Sequence, residues 1–175
     1  MGYNGGMNIC CCTGHRPKGF PWQYGADIEK QKSYLERLSA VIEAAVIHDY
    51  IDEFFTGMAM GADMDFAEAV LDLRDKKFPH IRLTCIIPCP NQCYRWDKEN
   101  IDRYQAILDR ANSSKVLSPR YTPDCLLARN RYMVDHAAKV IAIWNGSERG
   151  GTWYTISYAR GKGKPIDFIM LNSIS

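Results

Sequence analysis

Along nearly the whole chain, short apolar runs alternate with longer stretches whose apolar residues fall at helical spacing, and this pattern limits the possible folds more than any other feature. "NICCCT" (8–13), "DEFFTG" (52–57), "IRLTCIIP" (81–88), "SKVLS" (114–118), "KVIAIW" (139–144) and "PIDFIM" (165–170) read as strands. Between them, "DIEKQKSYLERLSAVIEAAVIHD" (27–49), "ADMDFAEAVLDLRDKK" (62–77), "KENIDRYQAILDRA" (98–111), "LLARNRYMVDHA" (126–137) and "GTWYTISYARGKG" (151–163) read as helices. In the first helix Leu35, Leu38, Ile42, Ala45 and Val46 fall near one face. Strands alternating with helices require right-handed crossovers and a mostly parallel sheet covered on both faces. The expectation is one doubly wound α/β domain over residues 1–175, with residues 1–7 as a flexible N-terminal extension. Ligands of such sheets sit beyond the carboxyl ends of the strands, where strand order reverses, so the loops at that edge are the ones to inspect.

Three of those loops carry glycine beside polar side chains. The first strand runs into Thr13-Gly14-His15-Arg16-Pro17. Arg16 could hold a phosphate through paired N–H donors, and His15 could donate a hydrogen bond or act as a general acid or base. The second strand runs into "TGMAMGAD", where Gly57, Met58 and Gly61 span the turn and Asp63 lies in the first helical turn. That stretch is neither a dinucleotide fingerprint nor a Walker A loop. Asp63 fits a structural role equally well, since a carboxylate is favourable at a helix start. The third loop, "WNGSERGGTW", brings Asn145, Glu148, Gly150, Gly151 and Thr152 to the start of a helix. Exposed N–H groups and the positive end of the helix dipole suit a phosphate there. Each loop alone reads as an ordinary turn; three at one sheet edge point to a phosphate-bearing ligand.

Two further segments bear on the same edge. "ARNRYMVDHA" offers Arg129, Asn130 and Arg131 at the start of a helix, with Asn130 and Arg131 as candidate ligand contacts. "PCPNQCYRWDKEN" offers Tyr94, Arg95 and Trp96, which could stack on a base but fit helix-start packing better.

Charge and cysteine content narrow the partners. Lys plus Arg number 22 and Asp plus Glu 20, a net +2, so nucleic acid is not expected as a partner and neither is a membrane. No apolar run reaches the length of a membrane span. Seven cysteines without a secretion signal suit the reducing cytoplasm. Cys10, Cys11 and Cys12 lie inside an apolar run, where cysteine behaves as a small hydrophobe. Cys85, Cys89 and Cys93 are interrupted by a proline-containing loop with no second pair after them, so no metal site is expected, and no motif calls for a cofactor.

Taken in order, "TGHRP", "GMAMGAD", "ARNRYMVDHA" and "GGTWYTISYA" resemble the SLOG superfamily, and within it the YpsA-like branch of small bacterial and phage proteins, over about residues 8–170. The resemblance implies a Rossmann-like fold that binds a nucleotide or a nucleotide-derived ligand, in proteins that are commonly homo-oligomers. Lonely Guy phosphoribohydrolases in that superfamily carry PGGxGTxxE, whose glutamate assists N-glycosidic cleavage. Aligned on Gly151-Thr152, this chain has Thr155 at the glutamate position, which keeps the phosphate-binding half of the motif without the carboxylate. The expected function is therefore non-catalytic binding of a nucleotide-derived small molecule, of ADP-ribose type or a cyclic nucleotide signal, as a sensor or a sequestering sponge. The alternative is a hydrolase of an N-glycosidic or phosphate bond, with His15, Asp63 or Glu148 supplying the chemistry. A single-stranded DNA binder like the superfamily member DprA fits less well, because no long basic stripe with interleaved aromatics is present.

Overall fold

In the computed structural model, which describes residues 6–175, the eleven anticipated elements form in the anticipated order. The strands are β1 (Ile9–Gly14), β2 (Glu53–Thr56), β3 (Arg82–Ile87), β4 (Ser113–Val116), β5 (Lys139–Trp144) and β6 (Ile166–Met170). The helices are α1 (Ile28–His48), α2 (Ala62–Lys76), α3 (Lys98–Arg110), α4 (Cys125–His136) and α5 (Gly150–Gly161). Most of the anticipated extension over residues 1–7 lies outside the described residues; Gly6 and Met7 precede β1 and are exposed.

The six strands make one sheet in the order β4-β3-β2-β1-β5-β6, and every pairing is parallel. From β1 the chain winds outward through β2, β3 and β4, then crosses back to lay β5 on the other side of β1. Strand order thus reverses between β1 and β5, whose carboxyl ends are aligned by the pairing of Thr13 with Ala142 and Gly14 with Ile143. Right-handed crossovers in opposite directions put α1, α2 and α3 on one face and α4 and α5 on the other.

The triple cysteine of β1 shows how a strand serves both layers. Cys10 and Cys12 point into the core under α1 and α2, Cys11 points into the core under α4 and α5, and all three are fully buried. Burial pushes the Cys11 thiol up to about 12, so it stays a neutral packing group. On α1, Tyr34, Leu38, Ile42, Ala45 and Val46 form the buried stripe. Every residue of β4 is exposed, which explains why this edge strand carries the weakest apolar signal.

Helix starts divide into two kinds. Asp27 caps α1 by accepting from Lys30 N at 3.2 Å, and Asp97 caps α3 by accepting from Asn100 N at 3.0 Å. The helices that begin at the glycine-bearing loops, α2 and α5, have no side-chain cap, and neither does α4. Among the described residues no helix is long and apolar enough to cross a membrane.

Candidate functional site

The loops that follow β1, β2 and β5 meet α4 over the carboxyl ends of β1 and β5, and they enclose a cavity of about 510 Å³. That volume is typical of small-ligand clefts, which run roughly 300–1,000 Å³. From the β1 loop come Thr13, Gly14, His15 and Arg16; from α2 comes Asp63; from α5 come Gly151 and Thr152; from α4 comes Asn130. Eight of the candidate residues are therefore brought to one place by the end of β1 and four separate crossovers.

The floor of the cavity is a fixed polar network. Arg129 is 5 % exposed, and its guanidinium donates to the Gly57 carbonyl and, from Nε, to Asn130 Oδ1 at 2.8 Å. Gly57 leaves the space this needs, because a Cβ there would lie 2.3 Å from Arg129 Nη1. Asp63 Oδ2 accepts from Ala59 N at 3.2 Å, and its own carbonyl accepts from Thr56 Oγ1 at 2.8 Å. Burial raises the Asp63 carboxyl above the usual carboxylate range, and the nearby Arg129 charge pulls against that rise. Gly61 begins α2 with φ of 86°, and a Cβ there would lie 2.7 Å from the His15 carbonyl oxygen. The Ala62 N–H donates to that same carbonyl at 3.0 Å, which locks the β1 loop onto α2.

The upper wall is different. Arg149, Gly150 and Gly151 open α5 without a side-chain cap, and a Cβ at either glycine would meet no atom within 4 Å. The start of α5 thus borders open space at the cavity, where its first N–H groups lack intrahelical partners and the helix dipole is positive. Arg16 is exposed at the rim and makes no ion pair among the described residues. His15 Nε2 is buried without a hydrogen-bond partner, and burial lowers the imidazole below its ordinary value. It is a neutral ring at pH 7 with one nitrogen unsatisfied.

Other candidate residues support the cavity from outside its lining. Asn145 ties two loops together, donating from Nδ2 to the Gly19 carbonyl at 2.8 Å and accepting from Ser147 N at 2.9 Å. Met58 is fully buried with φ of 59°, and Gly57 contributes its carbonyl to Arg129. Gly61 and Gly150 shape helix starts, and Glu148 lies in the exposed loop before α5. Arg131 turns away: it donates to Tyr154 Oη at 2.8 Å and pairs with Asp124 at 2.6 Å. Thr155 is 1 % exposed, accepts from Asn130 Nδ2 at 2.9 Å and donates to the Gly151 carbonyl at 2.9 Å. The position where a phosphoribohydrolase would hold its glutamate is thus a brace between α4 and α5.

Sequence reasoning did not select Arg129. Its signal was helical phase: Met133 lies one turn later on the same face and is 1 % exposed, so Arg129 also points toward the sheet.

An all-parallel sheet with a polar, glycine-lined cavity at its switch point defines a Rossmann-like fold. The chain belongs to the YspA SLOG family, whose profile matches residues 10–173. Among its relatives, the SPbeta prophage-derived protein YoqJ of Bacillus subtilis (strain 168) is 28% identical over 137 residues, 71% of this chain and 79% of that protein. A UPF0398 protein of Bacillus pumilus (strain SAFR-032) is 24% identical over 174 residues, 96% of this chain and 90% of that protein. UPF0398 protein YpsA of Bacillus subtilis (strain 168) is 21% identical over 174 residues, 96% and 95% of the two chains. DNA processing protein A from Helicobacter pylori, whose solved structure describes a single-stranded DNA binding mode, is similar in fold, with a TM-score of 0.57 and 19% identity. The match covers 92% of this chain and 64% of that one, so this chain spans less than two thirds of the solved protein.

That likeness corrects one expectation. The loops and the resemblance led to a nucleotide-derived small molecule as partner and the near-neutral net charge set nucleic acid aside, yet the fold is shared with a protein whose solved structure describes a single-stranded DNA binding mode. Net charge was the wrong quantity: Arg16, unpaired at the cavity rim, shows that the charge available to a phosphate is local.

Proposed function

We propose that the protein binds a nucleotide through its phosphate in the cavity between β1 and β5, and releases it unchanged. One observation carries the reading: the uncapped start of α5 and the unpaired Arg16 line the same cavity. Backbone N–H groups at a helix start and a guanidinium at the rim complement a phosphate in geometry and in charge. Binding without turnover is supported by the carboxylates: among the described residues the only one lining the cavity is Asp63, which is buried and already bonded to Ala59 N. Neither Glu148 nor a residue at position 155 supplies a second. Glycoside cleavage ordinarily needs two such groups.

A more specific reading is favoured by the likeness to DNA processing protein A: the bound nucleotide belongs to a single strand. The experiment that tests both levels incubates the purified protein with nucleoside monophosphates, ADP-ribose, cyclic dinucleotides and short oligodeoxythymidines. The protein is then filtered out and denatured, and what it releases is identified. Release of intact nucleotide in amounts matching the protein is the expected result. Product in excess of the protein would make it an enzyme, and no retention of any compound at millimolar concentration would overturn the reading. Retention of free ADP-ribose in preference to oligonucleotide would replace the strand by a sensor or sponge role.

A further inference from the structure

Beside the nucleotide cavity lies a second one of about 540 Å³, bordered by the loop after β3 and by the segment leading into α4. The two cavities share Arg16 and Leu126, so they form one groove with the guanidinium of Arg16 at the junction. The second is lined by Tyr94, Arg95, Trp96 and Tyr121, with Asn91 and Gln92 beside them. These aromatics are not equivalent. Trp96 packs edge-on against Tyr104 with ring centroids 5.5 Å apart, and this is ordinary helix-start packing. Tyr94 and Tyr121 are 79% and 66% exposed and have no aromatic partner among the described residues.

Charge in the second cavity has one sign. No Asp or Glu lines it, and Arg95, like Arg16, makes no ion pair among the described residues. Two free tyrosine rings beside two unpaired arginines are the combination that holds an unstacked base and the phosphate next to it. The two cavities are also fixed relative to each other. Gln92 Nε2 donates to the Gly57 carbonyl at 3.0 Å, the same oxygen that receives the Arg129 guanidinium, so the β3 loop is anchored to the floor of the first cavity.

We infer that this second cavity is a subsite for an adjoining nucleotide: its base stacks on Tyr94 or Tyr121, and the phosphate joining it to the first nucleotide lies between Arg16 and Arg95. The inference rests on the reading of the first cavity as a nucleotide site. It fixes the ligand class as two base-bearing nucleotides joined through phosphate, supplied by a single strand or by a free dinucleotide.

The test compares thymidine 5′-monophosphate, the dinucleotide pdTpdT and a ten-residue oligodeoxythymidine by titration against the native protein. The dinucleotide should bind at least about tenfold more tightly than the monophosphate, the scale of one stacked base. In Tyr94→Ala/Tyr121→Ala that advantage should vanish while affinity for the monophosphate stays within about twofold, since both rings are exposed and outside the first cavity. Arg95→Ala should weaken the dinucleotide and flatten the dependence of its affinity on salt. A further gain with the oligonucleotide assigns the subsite to a strand, and equal affinity assigns it to a dinucleotide. Monophosphate binding with no gain for the dinucleotide would overturn the subsite and leave the first reading standing. Failure of all three compounds to bind would overturn both. Equal losses for monophosphate and dinucleotide in the tyrosine variant would overturn the division into two subsites.

Discussion

A Cβ added at Gly57 would lie 2.3 Å from Arg129 Nη1, and one at Gly61 would lie 2.7 Å from the His15 carbonyl oxygen; at Gly150 and Gly151 it would meet nothing within 4 Å. The two glycine-bearing turns read alike in sequence. In the turn after β2 the missing side chains let the protein pack against itself: a buried guanidinium fills one gap and a neighbouring loop fills the other. At the start of α5 the missing side chains leave open space beside an uncapped helix start. The first turn holds the site together, and the second is the part that can receive a ligand. Glycine content alone therefore does not mark a binding loop; what occupies the space beside the glycine does.

The largest effect should come from removing the cation under the first turn. Arg129→Met removes the buried guanidinium that donates to the Gly57 carbonyl and Asn130 Oδ1 and whose nearby charge offsets the burial of Asp63, which should cost about 2–6 kcal/mol at neutral pH, roughly 1–3 for each polar group left without it, measurable by urea denaturation. The pH dependence has a definite sign. Asp63 has its folded-state pKa raised, so its protonated form is the one the fold favours. That contribution is complete below the unfolded carboxyl value and is lost as pH rises through the folded value. Without Arg129 the rise is greater, so the deficit of Arg129→Met relative to native protein should shrink between about pH 7.5 and about pH 5. A deficit independent of pH would mean that lost packing, not the charge, is what matters.

Next in size is Gly61→Ala. A non-glycine residue at φ of 86° with its Cβ against a backbone oxygen should cost about 3 kcal/mol, lowering Tm by roughly 6–12 °C for a chain of this size. An unchanged Tm would show that the β1 loop moves aside freely, and the contrast between the two turns would fail.

Most of the fold was legible because its strands are short β-branched or aromatic runs buried on both faces, as "CIIP" and "KVIAIW" are. Among the strands only β4 was displaced by more than one residue at an end, since an edge strand exposed throughout leaves little apolar pattern to read. The site was legible as a set of loops, but not at the level of individual side chains. Arg129 and Arg131 are two positions apart, about 200° around a helix, and this alone sends one under the cavity and the other to Asp124 and Tyr154. The role of Asp63 depends on burial, which is not visible in a count of residues.

Gly151→Ala reverses the pattern of the first two substitutions. Its Cβ enters open space inside α5, where alanine is a better helix former than glycine, so stability should stay the same or rise by about 0.5–1 kcal/mol. The same methyl group takes volume in front of the α5 amides, and nucleotide affinity should fall about tenfold, or about 1.4 kcal/mol. Titration calorimetry alongside thermal melting separates the two effects. Unchanged affinity would place the ligand elsewhere on the sheet edge.

The smallest effect concerns His15. Burial lowers its pKa, so the folded protein favours the neutral ring; that stabilisation is present above the ordinary histidine value and is lost as pH falls through the folded value. Nε2 is buried in the ligand-free fold; a phosphate whose binding uncovers it would give that nitrogen an acceptor and favour the protonated ring, so binding should take up a proton. Affinity for a nucleotide should then rise about threefold between roughly pH 7.5 and pH 6 in the native protein, beyond any rise seen in His15→Ala. The phosphate's own titration is common to both proteins and cancels in the comparison. If the two pH profiles coincide, the unsatisfied nitrogen does not touch the ligand, and the binding face of the cavity narrows to Arg16 and the start of α5.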